Sequence, residues 1–237
     1  MQDLLTIVIP CYNEELYIGR TLRHIKRQLG TDGVRIIISD AGSVDSTLSI
    51  IEKLKNQLDL RVEVVKGGLP AVGRNAGADL ATTPYLLFID ADITFTDKTV
   101  ISRALACLQN EDFAMVGTCP KYRGEFDFRA KLIFSVNRMI TWYLSKTKPF
   151  AIGGFILVRR LVFLKLGGFD EKAHQSEDWL LSRQIEPKKF RFMPDLITQD
   201  NRRFKRYGYF KMIGLVFRNW LNRNNKSYFY KDQNYWR

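Results

Sequence analysis

One nine-residue stretch decides how this chain folds: Pro84-Tyr85-Leu86-Leu87-Phe88-Ile89-Asp90-Ala91-Asp92. Its apolar run is too short for a typical helix and follows a proline, so it predicts a strand over residues 85–90 that is buried on both faces. The D-x-D pair, Asp90 and Asp92, falls at the end of that strand, where ligands bind in open α/β sheets. Carboxylates suit a divalent cation that holds a diphosphate, although an aspartate after a strand is also common in turns and caps.

Strands and helices alternate along the rest of the chain. The predicted strands cover residues 4–10, 34–40, 61–65, 85–90 and 153–158. The predicted helices cover residues 16–29, 46–58, 70–81, 98–110, 126–146 and 176–185. Alternation at this spacing predicts an α/β fold with a mostly parallel central sheet flanked by helices on both faces.

The composition is that of an ordinary globular protein. The chain has 237 residues, of which 46% are hydrophobic and 26% charged, and this length suits one large α/β domain or two small ones. Three widely spaced cysteines without a C-x-x-C indicate neither a disulfide framework nor a zinc site, which favours a reducing compartment. No signal-peptide pattern or long apolar window is visible, so we expect a cytoplasmic protein without a membrane span.

Three further clusters accompany the D-x-D pair. Residues 9–15 and 39–47 lie at the ends of the first two predicted strands, so we expect both clusters at the same sheet edge as the D-x-D pair. Capping of the next helix by Asp45 or Ser46 would also explain the second cluster. In the third, residues 67–77, Arg74 lies early in a predicted helix, where it would face either an anionic ligand or solvent.

These clusters, taken in order and spacing, resemble a known family. The patterns P-x-Y-N-E-E, D-x-G-S-x-D-x-T, G-x-x-x-x-x-G-R-N-x-G and I-D-A-D are similar to the nucleotide-sugar half of family 2 glycosyltransferases, which have the GT-A fold. Residues 153–155 and 166–171 resemble the acceptor-side segment of that family, and residues 176–183 resemble its E-D-x-x-L-x-x-R helix. An R-R-F-x-x-x-G pattern follows from residue 202, so the likeness runs from about residue 4 to residue 210.

The resemblance implies a domain organisation and a set of site residues. It implies a GT-A catalytic domain over residues 1–200, with a donor half over about 1–95, an acceptor half over about 96–200, and a basic aromatic helix and tail over 201–237. The implied donor-binding residues are Pro10, Tyr12, Glu14, Asp40, Arg74, Asp90, Ala91 and Asp92. Of these, Asp92 with Asp90 would hold Mg²⁺ or Mn²⁺. The implied acceptor-side residues are Gly153, Gly154, Glu177 and Trp179.

Asp178 is the implied general base. A hydroxyl acceptor needs one near neutral pH, and a single carboxylate in a desolvated cleft suffices. The competing interpretation is that Ser176 caps a helix whose first-turn acids, Glu177 and Asp178, complement the helix dipole. Two departures from the family pattern affect the donor side. Asp40-Ala41 stands where many members carry two acids, and Gln199-Asp200 stands where some supply a histidine ligand, so metal binding would depend on the donor diphosphate.

The implied activity is metal-dependent, inverting transfer of a sugar from a nucleoside diphosphate sugar to a hydroxyl of a glycan or lipid-linked acceptor. A polyprenyl-phosphate glycosyltransferase is the alternative, since its anionic acceptor needs no base. A sugar-nucleotide nucleotidyltransferase would carry a Gly-rich basic loop after the first strand, where this chain has Cys-Tyr-Asn-Glu at residues 11–14. The intact D-x-D and E-D pairs argue against a non-catalytic binding module.

The net charge of +12 is concentrated in the C-terminal segment. Residues 202–237 hold ten Lys or Arg and a single acid, Asp232, with aromatic residues between them. Residues 209–223 have the apolar spacing of an amphipathic helix. This helix would either pack its aromatic face on the domain or lie on an anionic surface at the cytoplasmic face of a membrane. No motif indicates nucleic-acid binding.

Overall fold

The structure is a computed structural model that describes residues 1–110, 112–124 and 127–232, without the side chain of Arg203. Its strands are β1 (Leu5–Cys11), β2 (Arg35–Asp40), β3 (Val62–Lys66), β4 (Tyr85–Phe88), β5 (Thr94–Phe95), β6 (Met115–Gly117), β7 (Lys121–Tyr122), β8 (Ile156–Arg159), β9 (Phe190–Phe192) and β10 (Ile197–Gln199). Its helices are α1 (Ile18–Lys26), α2 (Thr47–Gln57), α3 (Pro70–Asp79), α4 (Val100–Asn110), α5 (Phe128–Ser145), α6 (Arg160–Lys165), α7 (Glu177–Ser182), α8 (Arg202–Tyr207), α9 (Tyr209–Leu221) and α10 (Lys226–Phe229).

A seven-stranded sheet in the order β3-β2-β1-β4-β8-β6-β9 forms the centre of the molecule. The first four strands are parallel to one another, β8 is antiparallel to both β4 and β6, and β9 is parallel to β6. This arrangement confirms the predicted α/β fold with a mostly parallel sheet. A second sheet has three strands in the order β5-β10-β7, and its strand β5 is the next strand after β4 in the chain.

The central sheet is covered on both faces. Leu5, Ile7 and Ile9 of β1 belong to a core that includes residues of α1, α2 and α4, whereas Val8 joins a second core with residues of α3, α6 and α7. Alternate side chains of a strand point to opposite faces, and both faces here are apolar, which explains the unbroken hydrophobic run.

The register of β1, β2 and β4 brings their carboxyl ends together. Cys11 lies opposite Asp40, and Val8 lies opposite Phe88. The three predicted clusters that follow these strands therefore emerge along one edge of the sheet. The small sheet completes this edge, because β10 pairs with β5 and carries Gln199 toward it.

Several element boundaries differ from the predictions. The predicted strand 85–90 ends at Phe88, although the Ile89 amide still donates to the Val8 carbonyl at 3.1 Å. The predicted strand 153–158 begins at Ile156, and the predicted helix 176–185 covers only α7. Phe126, the predicted first residue of the long helix, lies outside the described residues, and α5 begins after its cap Asp127. Strands β5, β6, β7, β9 and β10 were not predicted, since two or three residues are too few to show alternation.

Close packing of α3 on β1 depends on Gly77. A Cβ atom at this position would lie 2.4 Å from Cγ1 of the buried Val8, a stiff β-branched side chain. We therefore expect Gly77→Ala to lower the free energy of unfolding by about 1–3 kcal/mol, measured by urea denaturation. Gly214→Ala in α9 is the matched control, because nothing lies within 4 Å of a Cβ there. Equal stability of the two variants would contradict this account of the packing.

Candidate active site

A buried arginine joins the two predicted halves of the site. Arg74, in α3, is 1% exposed, and its Nη2 lies 2.8 Å from Oδ1 of Asp90. Its Nη1 donates a hydrogen bond to Oε1 of Glu177, and its guanidinium lies over the ring of Phe169. We call this set of three charged groups, Asp90, Arg74 and Glu177, the Arg74 bridge. The predicted alternative of a solvated Arg74 is wrong, because the chain buries the side chain between two carboxylates.

Asp178, the predicted base, is held next to this bridge. The Gly153 amide donates to its Oδ2 at 2.7 Å, and the Trp179 amide donates to its Oδ1 at 2.7 Å. Gly153 allows this approach, because a Cβ there would lie 2.6 Å from Nη2 of Arg74. Ser176 has a left-handed φ of 57° and makes no capping hydrogen bond with its side chain, so the predicted helix-cap role does not apply to it.

The environment of Asp178 favours its protonated form. Burial, and then the negative charge of Glu177, raise the pKa of its carboxyl group to about 7, while Arg74 and the two amides oppose the shift. A carboxyl group of this kind accepts a proton near neutral pH, as a general base for a hydroxyl must.

Asp92, the second acid of the D-x-D pair, faces donors of hydrogen bonds. It is 3% exposed, its Oδ2 lies 2.8 Å from Nη2 of Arg202, and Nε2 of Gln199 lies 3.2 Å from each of its oxygens. The carbonyl of Ala91 accepts a hydrogen bond from Thr21 at 2.6 Å, which fixes the backbone between the two acids. The loop thus presents Asp92 toward the C-terminal part of the chain.

Arg202 closes the same edge from α8. Its guanidinium makes two hydrogen bonds with Glu14, of 2.9 and 2.8 Å, and lies 4.4 Å from the ring centroid of Tyr17. Burial raises the pKa of Glu14, and the Arg202 hydrogen bond opposes this shift. The sequence predicted no role for Arg202 at this edge, since this residue counted only in the R-R-F pattern and among the basic residues of the C-terminal segment.

The remaining predicted donor residues lie around the ends of β1 and β2. Pro10 is the penultimate residue of β1, and Tyr12 follows with a ring that is 52% exposed. Asp40 closes its own loop, since its Oδ2 accepts from the amides of Gly42 and Ser43 at 2.9 Å each. Asp45, and not Ser46, caps α2 by accepting from the Thr47 amide at 3.0 Å.

Two predicted acceptor-side residues have packing roles. A Cβ at Gly154 would lie 2.9 Å from Cδ1 of Ile197, so this backbone packs closely against β10. Trp179 is 8% exposed and contacts Phe150 edge-on at 5.3 Å between centroids. The packing of these two residues fixes the position of the protein segments next to Asp178.

The carboxylates suit a divalent cation only together with a ligand. In the described part of the chain, no group of three or more His, Cys, Asp or Glu side chains is placed to hold a metal ion. Asp92 and Asp90 nevertheless offer hard oxygen atoms, and Mg²⁺ typically uses one or two carboxylates together with phosphate oxygens and water. This donor set therefore fits a cation shared with a diphosphate, for which Arg202 would have to leave Asp92.

Comparison with known proteins identifies the family. The model of the family "Glycosyl transferase family 2" matches residues 6–167. The chain belongs to this family. It is 31% identical over 152 residues to poly(ribitol-phosphate) beta-N-acetylglucosaminyltransferase TarS of Staphylococcus aureus, over 60% of this chain and 26% of TarS. It is also 30% identical over 118 residues to a processive diacylglycerol beta-glycosyltransferase of Mycoplasma genitalium, over 48% of this chain and 34% of that protein.

Structural comparison agrees on the fold. The mannosyltransferase PcManGT from Pyrobaculum calidifontis, solved in complex with GDP-Man and Mn²⁺, superposes with a TM-score of 0.65 at 18% identity, over 85% of this chain and 57% of that one. The predicted GT-A fold is thereby confirmed. This chain corresponds to only part of its relatives, about a third or less of the two curated sequences.

The Arg74 bridge predicts a large difference between two arginine substitutions. Arg74→Met would leave Asp90 and Glu177 buried without their counter-charge, so we expect a loss of about 3–5 kcal/mol in the free energy of unfolding. Arg103→Met is the matched control, because Arg103 pairs with Asp97 at the surface, where a loss of at most about 1 kcal/mol is expected. Urea denaturation measures both losses. Similar losses in the two variants would show that the bridge contributes no more than a surface ion pair.

Proposed function

We propose that this chain is an inverting glycosyltransferase that moves a sugar from a nucleoside diphosphate sugar to an acceptor hydroxyl. The observation that carries the proposal is the placement of Asp178. It is a buried carboxyl group of raised pKa, and the Arg74 bridge connects it to the acids at the carboxyl end of β4. Membership of the family supports the same activity.

The proposed reaction is a single in-line displacement. The acceptor oxygen attacks the anomeric carbon, its proton passes to Asp178, and the bond from the anomeric carbon to the diphosphate oxygen breaks with its electron pair going to the diphosphate. One displacement inverts the configuration at the anomeric carbon. The amides of Gly153 and Trp179 hold the two oxygens of Asp178, so the base has a fixed orientation for the incoming hydroxyl.

The donor would bind along the edge formed by β1, β2 and β4. The exposed ring of Tyr12 offers a stacking surface for the base, and Asp40 and Glu14 are the proposed partners of the base and ribose. We propose that Asp92 and Asp90 hold Mg²⁺ or Mn²⁺, which would neutralise the leaving diphosphate as a Lewis acid. The presence of GDP-Man and Mn²⁺ in the PcManGT complex supports this assignment.

The proposed acceptor is a hydroxyl of a glycan or of a lipid-linked molecule. The names of two relatives, which refer to poly(ribitol-phosphate) and to diacylglycerol, support acceptors of these classes. A polyprenyl-phosphate acceptor is the weaker candidate, because an acceptor that is already anionic would have no use for a base such as Asp178.

We also propose that the chain works at the cytoplasmic face of a membrane, attached by its C-terminal segment. No helix in the described ranges is long and apolar enough to cross a bilayer. Against the predicted alternative, in which Tyr209, Ile213, Val216 and Trp220 pack on the domain, Ile213, Val216 and Trp220 are between 47% and 58% exposed; Tyr209, which stacks on Phe204, is the half-buried member of this set. Tyr235, Trp236 and Arg237, which the prediction included in this segment, lie outside the described residues.

Donor turnover should depend on a divalent cation and on Asp92. We expect the purified chain, incubated with a panel of UDP- and GDP-sugars and Mn²⁺, to release nucleoside diphosphate from at least one donor. EDTA should stop this release, and Asp92→Ala should abolish it without unfolding the protein, since Asp92 lies at the sheet edge and not in the hydrophobic core. Circular dichroism checks the fold of the variant. Full activity in EDTA or in Asp92→Ala would contradict the metal assignment.

Asp178 should control both the rate and its pH dependence. Asp178→Asn removes the base, so we expect kcat to fall on the order of 10²–10⁴-fold, with donor affinity by calorimetry nearly unchanged. Because the base must be ionised and its pKa is raised to about 7, kcat/KM of the wild type should fall as the pH drops below about 7. An aspartate with an ordinary pKa would sustain activity about three pH units lower.

Glu186→Gln is the matched control for this substitution, since Glu186 is exposed and its carboxylate pairs with the nearby Lys188 at the surface. It should retain the wild-type rate and pH profile. Transfer at the wild-type rate in Asp178→Asn would refute the role of Asp178 and would favour the phosphate acceptor.

A further inference from the structure

The amphipathic pattern of α5 runs opposite to that of a core-facing helix. Its three buried residues are Ala130, Thr141 and Ser145, which are small or polar. Its outward face carries seven large hydrophobic side chains that are between 41% and 76% exposed: Phe128, Leu132, Val136, Met139, Ile140, Trp142 and Tyr143. A helix normally turns its apolar stripe toward the core, and a contiguous exposed apolar patch marks an interaction site.

Helix α9 has the same inverted pattern. Met212 is its one buried residue, and Asn219 accepts a hydrogen bond from Tyr228 at 3.0 Å on the side that faces the protein. Six large hydrophobic side chains are between 47% and 91% exposed: Phe210, Ile213, Val216, Phe217, Trp220 and Leu221. Two separate helices therefore leave apolar faces without a partner in the described chain.

The two helices are fixed to each other where they begin. Asp127, the cap of α5, accepts a hydrogen bond from the hydroxyl of Tyr209. It accepts another, at 2.6 Å, from the side-chain amide of Asn201. Phe204 contacts Phe134 of α5 at 5.8 Å and stacks on Tyr209 at 5.3 Å. The two helices thus contact each other near their N-terminal ends, and we call their exposed apolar faces together the α5–α9 surface.

The two helices and the residues that follow them carry charge of one sign, although Arg138 of α5 pairs with Asp195 of another segment. Residues 128–148 hold five Lys or Arg and no acid, and residues 201–231 hold nine and no acid. Arg129, Lys131 and Lys146 of the first segment, and Lys211 and Arg218 of the second, are exposed. An occupant must therefore be both apolar and anionic. A second copy of the chain would bring like charges together, which is unfavourable.

We propose that the α5–α9 surface docks on a lipid bilayer with anionic headgroups. The apolar side chains enter the boundary between headgroups and acyl chains, and the exposed basic residues contact lipid phosphates. The docking requires only the two helices, so it does not depend on the proposed reaction. It extends the attachment beyond the C-terminal segment to α5, in the middle of the chain.

The position of the α5–α9 surface would let it bring a membrane-bound acceptor to the enzyme. This step alone rests on the proposed function. Arg223, two residues after the end of α9, contacts Trp179 of α7 and Arg183, the C-cap of α7. The candidate base Asp178 belongs to the same helix α7. Nη1 of Arg183 donates to the carbonyl of Arg223 at 2.6 Å, and Nε1 of Trp179 lies 3.5 Å from the same carbonyl. A bilayer on the α5–α9 surface would therefore lie on the acceptor side of the molecule, where a lipid-linked hydroxyl can reach Asp178.

Vesicle binding tests the docking without any catalytic readout. We expect the full chain to co-sediment with phosphatidylcholine vesicles that contain phosphatidylglycerol and to bind vesicles of phosphatidylcholine alone more weakly, with high salt reducing the difference. The double variant L132E/M139E should weaken binding at least about tenfold, because both exposed side chains would no longer bury apolar surface. Leu161→Glu is the matched control. This leucine is 78% exposed and belongs to α6, not to the α5–α9 surface, so its replacement should leave binding unchanged.

Tryptophan fluorescence locates the contact. Trp142 and Trp220, on the two helices, are 48% and 47% exposed, whereas Trp179 is 8% exposed. Lipids with brominated acyl chains should quench the wild-type emission, and W142F and W220F should each lose part of the quenching. Nucleoside diphosphate release with a water-soluble acceptor should be the same in L132E/M139E as in the wild type, which separates failure of docking from failure of the proposed reaction.

Three results would overturn the docking proposal. The first is no preference for anionic vesicles. The second is equal loss of binding in L132E/M139E and in Leu161→Glu. The third is a dimer in sedimentation equilibrium that L132E/M139E dissociates, without vesicle binding by either protein, which would assign the surface to a second copy of the chain.

Discussion

The Arg74 bridge is the constraint on which the candidate site depends. A buried guanidinium is tolerated only when its charge is matched, and here Asp90 and Glu177 match it from two distant parts of the chain. Each of these acids is close in sequence to a candidate functional carboxylate, Asp92 in one case and Asp178 in the other. The two ion pairs therefore set the relative position of the two carboxylates.

The two candidate carboxylates have opposite surroundings. Asp178 is buried and lies beside Glu177, which together raise its pKa, although Arg74 and the amides of Gly153 and Trp179 oppose the shift. Asp92 instead lies against the guanidinium of Arg202 and the side-chain amide of Gln199. Two carboxylates with different tasks are expected to have different surroundings in this way.

The sequence predicted the parts of the fold that depend on long apolar runs. Strands β1, β2 and β4 were found because each contains at least four consecutive buried residues. The small sheet was missed, since β7 and β10 are two and three residues long. Contacts across the chain were also beyond reach. Glu177 lies 103 residues after Arg74, and Arg202 lies 188 residues after Glu14, so no local pattern relates them.

Helix amphipathicity illustrates a further limit of pattern reasoning. The spacing of apolar residues predicted the α9 helix, but spacing does not say which face turns inward. In α5 the small side chains of Ala130 and Ser145 allow close packing on the protein, and seven large apolar residues are left outside. The charge distribution follows the same division, because several acids lie at the carboxyl edge of the sheet while α5 and α9 carry only basic charges. In the proposed function, the donor with its cation would bind at the sheet edge from solution, and the acceptor would be met at a charged apolar boundary. The donor would then approach from solution and the acceptor from the membrane. The contacts between α7 and the end of α9 would hold the two binding regions next to each other.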